Sequence, residues 1–248
     1  LGVSLTGILD CPILRPNHDE LESVLEQLRI VAVETNKKIA KDLGIPQSTA
    51  ITCVKPSGTV SQLVDSASGI HARHNPYYIR TVRGDNKDPL TQFMQQVGIP
   101  IEPDITKSES VSVFSFPMKS PEGAITRTEM TAIEQLEYWL VFQRHWCEHK
   151  PSVTISVKEH EWMSVGAWVY ENFDEVSGIS FLPFSEHTYK QAPYQDISEK
   201  EYNKLTKKMP TAIDWSMLKD FEKEDTTTGS KDLACVAGAC EIVDIEGR

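Results

Sequence analysis

Short apolar segments with strand character alternate with amphipathic helical segments along most of this chain. The strand candidates are residues 1–8, 50–54, 111–116, 152–157 and 178–182. Between the first two, apolar side chains recur at helical spacing, at Leu21, Val24, Leu25, Leu28, Val31 and Ala32. Strands that alternate with helices predict an α/β architecture with parallel strand pairing.

Helix boundaries are predicted from capping residues. A hydroxyl or amide side chain stands three positions before a glutamate at Asn17/Glu20, Thr126/Glu129, Ser156/Glu159 and Ser198/Glu201. The first of these helices is expected to stop at Gly44, and a short helix over residues 89–97 is expected to stop at Gly98. The helix after Thr126 is predicted to continue to about His149, and residues 55–87 are predicted to be irregular.

The overall charge and the cysteine content limit the class of protein. The formal net charge is −11, which argues against a general nucleic-acid binder because such proteins usually present a basic face. No apolar run approaches the length of a membrane helix, and the chain opens without a signal segment or a methionine, so we expect a truncated chain without a membrane partner. Five cysteines, an odd number in a large chain, favour a reducing cytoplasm.

A turn rich in small and hydroxyl residues follows the second predicted strand. It contains Ser57, Gly58, Thr59, Val60 and Ser61. Such a turn exposes backbone N–H groups and adds hydroxyl donors, which suits phosphate oxygens. The alternative is an ordinary tight turn with a helix N-cap. A Walker A loop is excluded because its glycine and lysine spacing is absent.

Positive residues are concentrated around this turn. Within residues 55–87 they outnumber the acidic residues Asp65 and Asp85, in an otherwise acidic chain. A local excess of positive charge favours a polyphosphate ligand, whereas internal ion pairs or a solvated face are the alternative. The positive residues concerned are Lys55, Arg73, Arg80, Arg83 and Lys87.

Two cysteines, Cys235 and Cys240, stand five positions apart near the end of the chain. The small residues between them permit the tight turn that a disulfide needs, and the polar residues 222–232 before them are predicted to form a flexible linker. About 10 linker residues could reach roughly 30 Å when extended. A thiol pair on such a tail can carry electrons between two sites by thiol–disulfide exchange. A zinc half-site and a pair of unreactive thiols are the alternatives.

Together the two features resemble ribonucleotide reductases of the adenosylcobalamin-dependent, single-chain triphosphate type. The resemblance lies in KPSGTVS at 55–61, DSASGIHAR at 65–73 and YYIR at 77–80, and in LGVSLTGI at 1–8, SVTISV at 152–157 and GISFLP at 178–183. It runs from Leu1 to Cys240. The tyrosines Tyr77 and Tyr78 lie directly after the turn, so we interpret them as structural residues and not as a radical relay.

The resemblance implies the C-terminal portion of a ten-stranded α/β barrel over residues 1–221, with a flexible redox-shuttle tail over 222–248. It implies that Ser57, Gly58, Thr59, Val60 and Ser61 hold the phosphates of a ribonucleoside triphosphate. It also implies that Cys235 and Cys240 pass electrons from a thioredoxin-like reductant. In the implied reaction, a cysteine thiyl radical formed with adenosylcobalamin removes the 3′ hydrogen, the 2′ hydroxyl leaves as water, and two further cysteines supply electrons.

The chain departs from the family pattern in its catalytic residues, and neither Cys11 nor Cys53 is assigned as an active-site reducing cysteine. The C-x-E loop that carries the radical cysteine and the catalytic glutamate is absent, so this chain alone is expected to be inactive. Two alternatives stay open: a diphosphate reductase of the two-subunit class, and a non-catalytic phosphate-binding fragment with a redox-switch tail. A plain thiol–disulfide reductase is disfavoured, because the cysteine pair lacks the strand-to-helix setting of thioredoxin-like proteins.

Overall fold

The computed structural model describes residues 2–57, 60–184 and 189–222. Contacts divide these residues into two compact units: the first comprises described residues between 2 and 75 and from 121 to 184, and the second comprises residues 76–120 and 189–222. The helices are α1 (Leu21–Leu43), α2 (Val60–Leu63), α3 (Pro89–Gln96), α4 (Ala132–His145), α5 (Trp162–Glu171) and α6 (Glu199–Thr206). The strands are β1 (Val3–Ser4), β2 (Thr52–Cys53), β3 (Tyr77–Asp85), β4 (Ile101–Pro103), β5 (Val111–Lys119), β6 (Val153–Val157), β7 (Ile179–Pro183) and β8 (Tyr194–Asp196).

The first unit is built on parallel strand pairs. Strand β1 pairs with β2, and β6 pairs with β7. The N–H of Ser152 donates to the Val54 carbonyl at 2.9 Å and so links the end of β2 to the start of β6. Helix α1 connects β1 to β2, and α5 connects β6 to β7, which is the helix-crossover arrangement that parallel pairing requires. The predicted α/β class with parallel pairing is therefore confirmed for this unit.

The core of the first unit lies between these strands and helix α4. Alternate residues of β6 are buried, and the inner face of α4 contributes Leu136, Trp139 and Leu140. Two of the buried indoles find backbone acceptors: Trp139 donates to the Pro151 carbonyl at 3.1 Å and Trp146 donates to the Cys53 carbonyl at 2.8 Å. Because buried N–H groups are costly without partners, these bonds fix α4 and the segment after it against the strands.

The second unit is an antiparallel sheet, which the sequence did not predict. Its strand order is β4-β5-β3-β8, and β3 pairs with β5 over nine residues, from Tyr77 opposite Lys119 to Asp85 opposite Val111. Helix α3 places Phe93 in the interior, where it contacts the rings of Trp215 and Phe221. The prediction that residues 55–87 are irregular was wrong, because β3 occupies residues 77–85.

Helix boundaries agree with the prediction at some positions and differ at others. Gly44, with φ of 66°, ends α1, and a capping box of Ser198 and Glu201 begins α6, as predicted. Asn17 and Glu20 make no side-chain capping bond to α1. The helix starts predicted at Thr126/Glu129 and Ser156/Glu159 were wrong: Thr131 and Glu134 cap the start of α4, and the turn before α5 uses Lys158 with Glu161. The first strand is also shorter than expected, and a 3-10 turn follows it at Ile8–Asp10.

Candidate functional site

The predicted phosphate-binding turn, called here the Ser57 loop (residues 57–61), follows the carboxyl end of β2. Val54, directly after the strand, is fully buried, and the chain reaches the surface at Lys55. The N–H of Lys55 donates to Ser4 Oγ at 3.0 Å, beside the neighbouring parallel strand β1. Ligands of α/β proteins commonly bind outside the carboxyl ends of parallel strands, so the loop occupies a favourable position.

Ser57 is held by hydrogen bonds on both sides of its backbone. Its N–H donates to Ser68 Oγ at 2.8 Å, and the Ser68 hydroxyl donates to the Ser57 carbonyl at 2.9 Å. The Ser57 hydroxyl in turn accepts from the N–H of Ser61 at 2.9 Å, in the first turn of α2. Residues 57 and 68 are therefore joined twice, and the loop closes on itself.

The structure brings Ser57 and Ser61 together, and it buries Ser61 but exposes Val60. Ser61 is fully buried, and its hydroxyl has no hydrogen-bond partner among the described residues. The Val60 side chain is 62% exposed. Gly58 and Thr59 lie outside the described residues. Ser61 therefore supports the loop from the interior.

The arginine of the DSASGIHAR segment is part of a buried ion-pair cluster. Arg73 donates through Nε and Nη2 to the Asp10 carboxylate at 2.9–3.1 Å and through Nη1 to Asp65 Oδ1 at 3.0 Å. The same Asp10 carboxylate accepts from the N–H of Ala67 at 2.8 Å. With two carboxylates around it, Arg73 is not an uncompensated positive charge.

The arginines of β3 also have internal partners. Arg83 pairs with Asp104 at 2.7 Å, and Arg80 lies over the Tyr194 ring at 4.5 Å from its centroid. Hydrogen bonds from the Thr106 hydroxyl, together with bonds from the backbone and from Arg83, hold the pKa of Asp104 well below its usual range. The interpretation of these arginines as polyphosphate ligands is therefore replaced by the alternative of internal contacts. Lys55 differs, because its ammonium contacts the Lys150 carbonyl and Ser152 Oγ but pairs with no carboxylate among the described residues.

His71 connects the segment behind the Ser57 loop to strand β6. Its Nδ1 lies 3.0 Å from the Ser68 carbonyl, and its Nε2 lies 3.0 Å from the N–H of Thr154. A carbonyl requires a donor and an N–H requires an acceptor, so these partners fit a neutral ring protonated at Nδ1. Burial lowers the pKa of His71 and favours the same neutral form.

A cavity of about 110 Å³ lies beside the His71 ring. It is too small for a nucleotide, and its walls are mixed polar and apolar. Gln135 closes one side by bonding both the N–H and the carbonyl of Ser156 on the edge of β6. The lining residues are Leu9, Ile70, His71, Ala72, Arg127, Met130, Gln135, Tyr138, Val153, Thr154 and Ser156.

Sequence reasoning missed the partners that shape this region. Asp10, Thr154 and Gln135 are far from the loop in sequence, and no local motif marks them. The polar alternation of Thr154 and Ser156 in an otherwise apolar strand was the available signal, since it marks a face of β6 that is not plain core.

The two cysteines predicted to form the redox shuttle, Cys235 and Cys240, lie outside the described residues. Cys11, Cys53 and Cys147 are free thiols, and burial raises the pKa of Cys147 to about 12, which disfavours its reactive thiolate.

Tyr77 donates to Glu199 and contacts the Tyr202 ring, while Tyr78 is buried against Tyr194. These contacts agree with a structural role for both tyrosines.

No group of three or more His, Cys, Asp or Glu side chains suited to a metal ion occurs among the residues that the structure describes. None of the described helices has the length and apolar character needed to span a membrane.

Comparison with known proteins gives similarity to one kind of enzyme over most of the chain. A probable adenosylcobalamin-dependent ribonucleoside-triphosphate reductase of Dictyostelium discoideum is 29% identical over 249 residues, covering 98% of this chain and 32% of the relative. The adenosylcobalamin-dependent ribonucleoside-triphosphate reductase of Euglena gracilis is 29% identical, covering 87% of this chain and 30% of the relative. The predicted resemblance is confirmed.

The fold of this chain is also similar to that of a solved structure. The crystal structure of a B12-dependent (class II) ribonucleotide reductase superposes with a TM-score of 0.76 at 23% identity, covering 89% of this chain and 34% of that chain. The likeness establishes a shared fold. This chain spans about a third of the length of the curated relatives it matches. No protein-family model matches the chain.

Proposed function

We propose that this chain forms the C-terminal part of an adenosylcobalamin-dependent ribonucleotide reductase that converts ribonucleoside triphosphates to deoxyribonucleoside triphosphates. The observation that carries the proposal is the similarity to such reductases over 98% of the chain, together with the position of the Ser57 loop after β2. In the proposed enzyme the parallel strands of the first unit belong to a ten-stranded barrel. The radical cysteine and the catalytic glutamate lie in a part of the enzyme that this chain does not contain.

In this proposal Ser57, Gly58, Thr59, Val60 and Ser61 bind the substrate phosphates. The support comes from the position of the loop after the carboxyl end of β2 and from Lys55, a cation without a carboxylate partner among the described residues. Arg73 stabilises the segment that follows α2 through its ion pairs with Asp10 and Asp65. Ser57 thus has a fixed position two residues after a positive charge, and the two features together favour an anionic ligand.

We also propose that Cys235 and Cys240 form the dithiol shuttle, with residues 222–248 as its tail. One thiolate attacks the active-site disulfide, and the second cysteine resolves the mixed disulfide, so that two electrons reduce the active site and a Cys235–Cys240 disulfide forms. A thioredoxin-like dithiol then reduces that disulfide by the same exchange. Two of the described cysteines are poor candidates for this step, because Cys53 is buried and Cys147 has a raised pKa.

Adenosylcobalamin is the cofactor implied by the names of the relatives. In the intact enzyme it would supply the radical that starts the reaction. The cavity of about 110 Å³ beside His71 is far smaller than a corrin ring and does not fit this cofactor. We therefore assign no residue of this chain to the cofactor.

The test uses the full-length protein that contains this chain. Conversion of a ribonucleoside triphosphate is measured with adenosylcobalamin and either thioredoxin or a small dithiol. Ser57→Ala should raise the KM for the triphosphate, whereas Ser164→Ala, a change on the exposed face of α5, should leave it unchanged. The double variant Cys235→Ser, Cys240→Ser should lose turnover with thioredoxin and keep part of it with the small dithiol, while Cys11→Ser should behave as wild type.

Three other results would contradict the proposal. Turnover of diphosphates only, with a separate radical-generating subunit, would place the chain in the two-subunit class. Nucleotide binding without any reduction would leave a non-catalytic phosphate-binding fragment. Full thioredoxin-dependent turnover in the double cysteine variant would remove the shuttle role of the tail.

A further inference from the structure

The contacts behind the Ser57 loop form a continuous series of hydrogen bonds that ends on a strand of the first unit. The N–H of Thr154 on β6 donates to His71 Nε2 at 3.0 Å, and His71 Nδ1 lies 3.0 Å from the Ser68 carbonyl. The Ser68 hydroxyl then bonds to both the N–H and the carbonyl of Ser57. We propose that His71 and Ser68 are positioning residues that fix the Ser57 loop to β6 and thereby set the affinity for substrate phosphate. This inference rests on the proposed function of the loop.

The strand end of this series is well anchored. Strand β6 pairs with β7 over its whole length, from Val153 opposite Ile179 to Val157 opposite Pro183. Its other edge is completed by side chains: His71 accepts from Thr154, and Gln135 accepts from Ser156 at 3.4 Å. A backbone N–H left without a partner in such a place is costly, so the ring position is strongly specified.

The loop end of the series constrains the residue that would meet the phosphate. Ser68 holds Ser57 through two bonds at 2.8 and 2.9 Å, and Ser57 in turn accepts from the N–H of Ser61. A displacement of Ser68 would therefore displace Ser57 and, through its bond to the N–H of Ser61, the first turn of α2. Anion binding by backbone N–H groups depends on their convergence, so a small displacement reduces affinity.

The space around His71 makes the ring necessary for this arrangement. The cavity of about 110 Å³ lies directly beside it, with Ile70 and Thr154 also in its wall. Removing the ring would enlarge an existing cavity and would remove the bond to the N–H of Thr154 and the side-chain bond to the Ser68 carbonyl. Loss of the His71 ring should therefore loosen Ser68 locally, since the Ser68 carbonyl keeps only the backbone N–H of His71 as a donor, while the bonds of Ala67 and Gly69 keep the segment folded.

The test compares variants of the full-length protein by steady-state kinetics with a ribonucleoside triphosphate. His71→Ala and Ser68→Ala should each raise KM about five- to tenfold, the loss expected for one or two net hydrogen bonds, with kcat nearly unchanged. His71→Asn keeps a donor near the Nδ1 position and His71→Gln keeps an acceptor near the Nε2 position, so each should restore part of the affinity. His160→Asn, a change of an exposed histidine in the turn before α5, is the matched control and should have the wild-type KM.

A double-mutant cycle separates positioning from general destabilisation. Because both residues act through the same bond series, the Ser68→Ala, His71→Ala double variant should have a KM close to that of the weaker-binding single variant. Multiplied effects of the two changes, or a wild-type KM in His71→Ala, would overturn the inference. These results differ from a failure of the proposed function, in which the wild-type protein itself would neither bind nor reduce the triphosphate.

Hydrogen exchange gives a readout that needs no substrate. In the wild-type protein, the amide protons of Ser57 and Thr154 should exchange slowly, because each is donated to a fixed acceptor. His71→Ala should accelerate exchange at both residues, although they lie on different elements. Acceleration at Thr154 alone would show that the ring anchors the strand but does not position the loop, and would refute the inference.

Discussion

Replacing Asp10 by alanine should lower the free energy of unfolding by about 3 kcal/mol, because it leaves a buried guanidinium with incomplete compensation. The Arg73 side chain is only 3% exposed, and three of its hydrogen bonds go to the Asp10 carboxylate. Removing one partner of a buried ion pair typically costs about 3–5 kcal/mol. The lower end applies here, because Asp65 still pairs with Arg73, although 65% of its own side chain is exposed to solvent.

The change also removes the acceptor for the N–H of Ala67, which adds about 1 kcal/mol if water does not replace it. The assay is chemical denaturation followed by tryptophan fluorescence, since Trp139 and Trp146 are buried in the same unit. Asp19→Ala, a change of an exposed carboxylate, is the control and should stay within about 0.5 kcal/mol of wild type.

A companion variant tests the charge argument itself. In Asp10→Leu combined with Arg73→Met, the two buried charges disappear together, and the loss should be smaller than the sum of the two single losses. If Asp10→Ala unfolds at the same denaturant concentration as Asp19→Ala, or if the two single losses simply add, Arg73 is not stabilised by Asp10 in the way the structure indicates.

Three further predictions concern the same unit. Gly69→Ala should lower the free energy of unfolding more than Gly44→Ala, as measured by denaturation of the two variants. Both glycines have positive φ, but a Cβ at residue 69 would lie 3.1 Å from the Lys55 carbonyl, whereas nothing lies within 4 Å of a Cβ at residue 44. Burial lowers the pKa of His71, so its contribution to stability should be complete above its ordinary pKa of about 6.5 and should decline as the pH falls below that value. The unfolding free energy of wild type should therefore exceed that of His71→Gln by less at acidic pH than at neutral pH. Cys147, with its pKa raised to about 12, should react with iodoacetamide at mildly alkaline pH far more slowly in the native chain than in urea, as judged by mass spectrometry; equal rates would contradict its burial.

Sequence patterns correctly predicted the helix ends that depend only on residues close by in the sequence. Helix α6 begins at Ser198 because that side chain and Glu201 satisfy each other's backbone N–H groups, and α1 ends at Gly44 because glycine accepts a positive φ without strain. The Thr126/Glu129 pattern also forms its local contacts, with Glu129 accepting from the N–H of Thr126 at 2.6 Å. The helix nevertheless starts five residues later, at the second Thr-x-x-Glu pattern, where Glu161 from the turn before α5 accepts from the N–H of Ala132.

The antiparallel sheet could not be predicted because β3 has polar residues at buried or half-buried positions. Thr81 is buried, and its hydroxyl donates to the Ala192 carbonyl at 2.7 Å, 111 residues away in sequence. Arg83 is half-buried and finds Asp104 and the Gln191 carbonyl. A strand whose polar residues are satisfied by distant partners does not show the apolar alternation by which strands are predicted.

At the candidate site, sequence proximity likewise does not show which positive residues are neutralised by distant partners. The positive residues of 55–87 are close in sequence, yet Arg73 and Arg83 are each paired with buried or half-buried carboxylates, and Arg80 stacks on an aromatic ring. Lys55 keeps a charge that no described carboxylate neutralises, and it stands two residues before Ser57. A triphosphate at the Ser57 loop would therefore depend on one nearby lysine and on backbone N–H groups, more than on an arginine cluster. Backbone N–H groups bind only where the chain holds them in a convergent arrangement, so the affinity of such a site depends on the residues that position the loop.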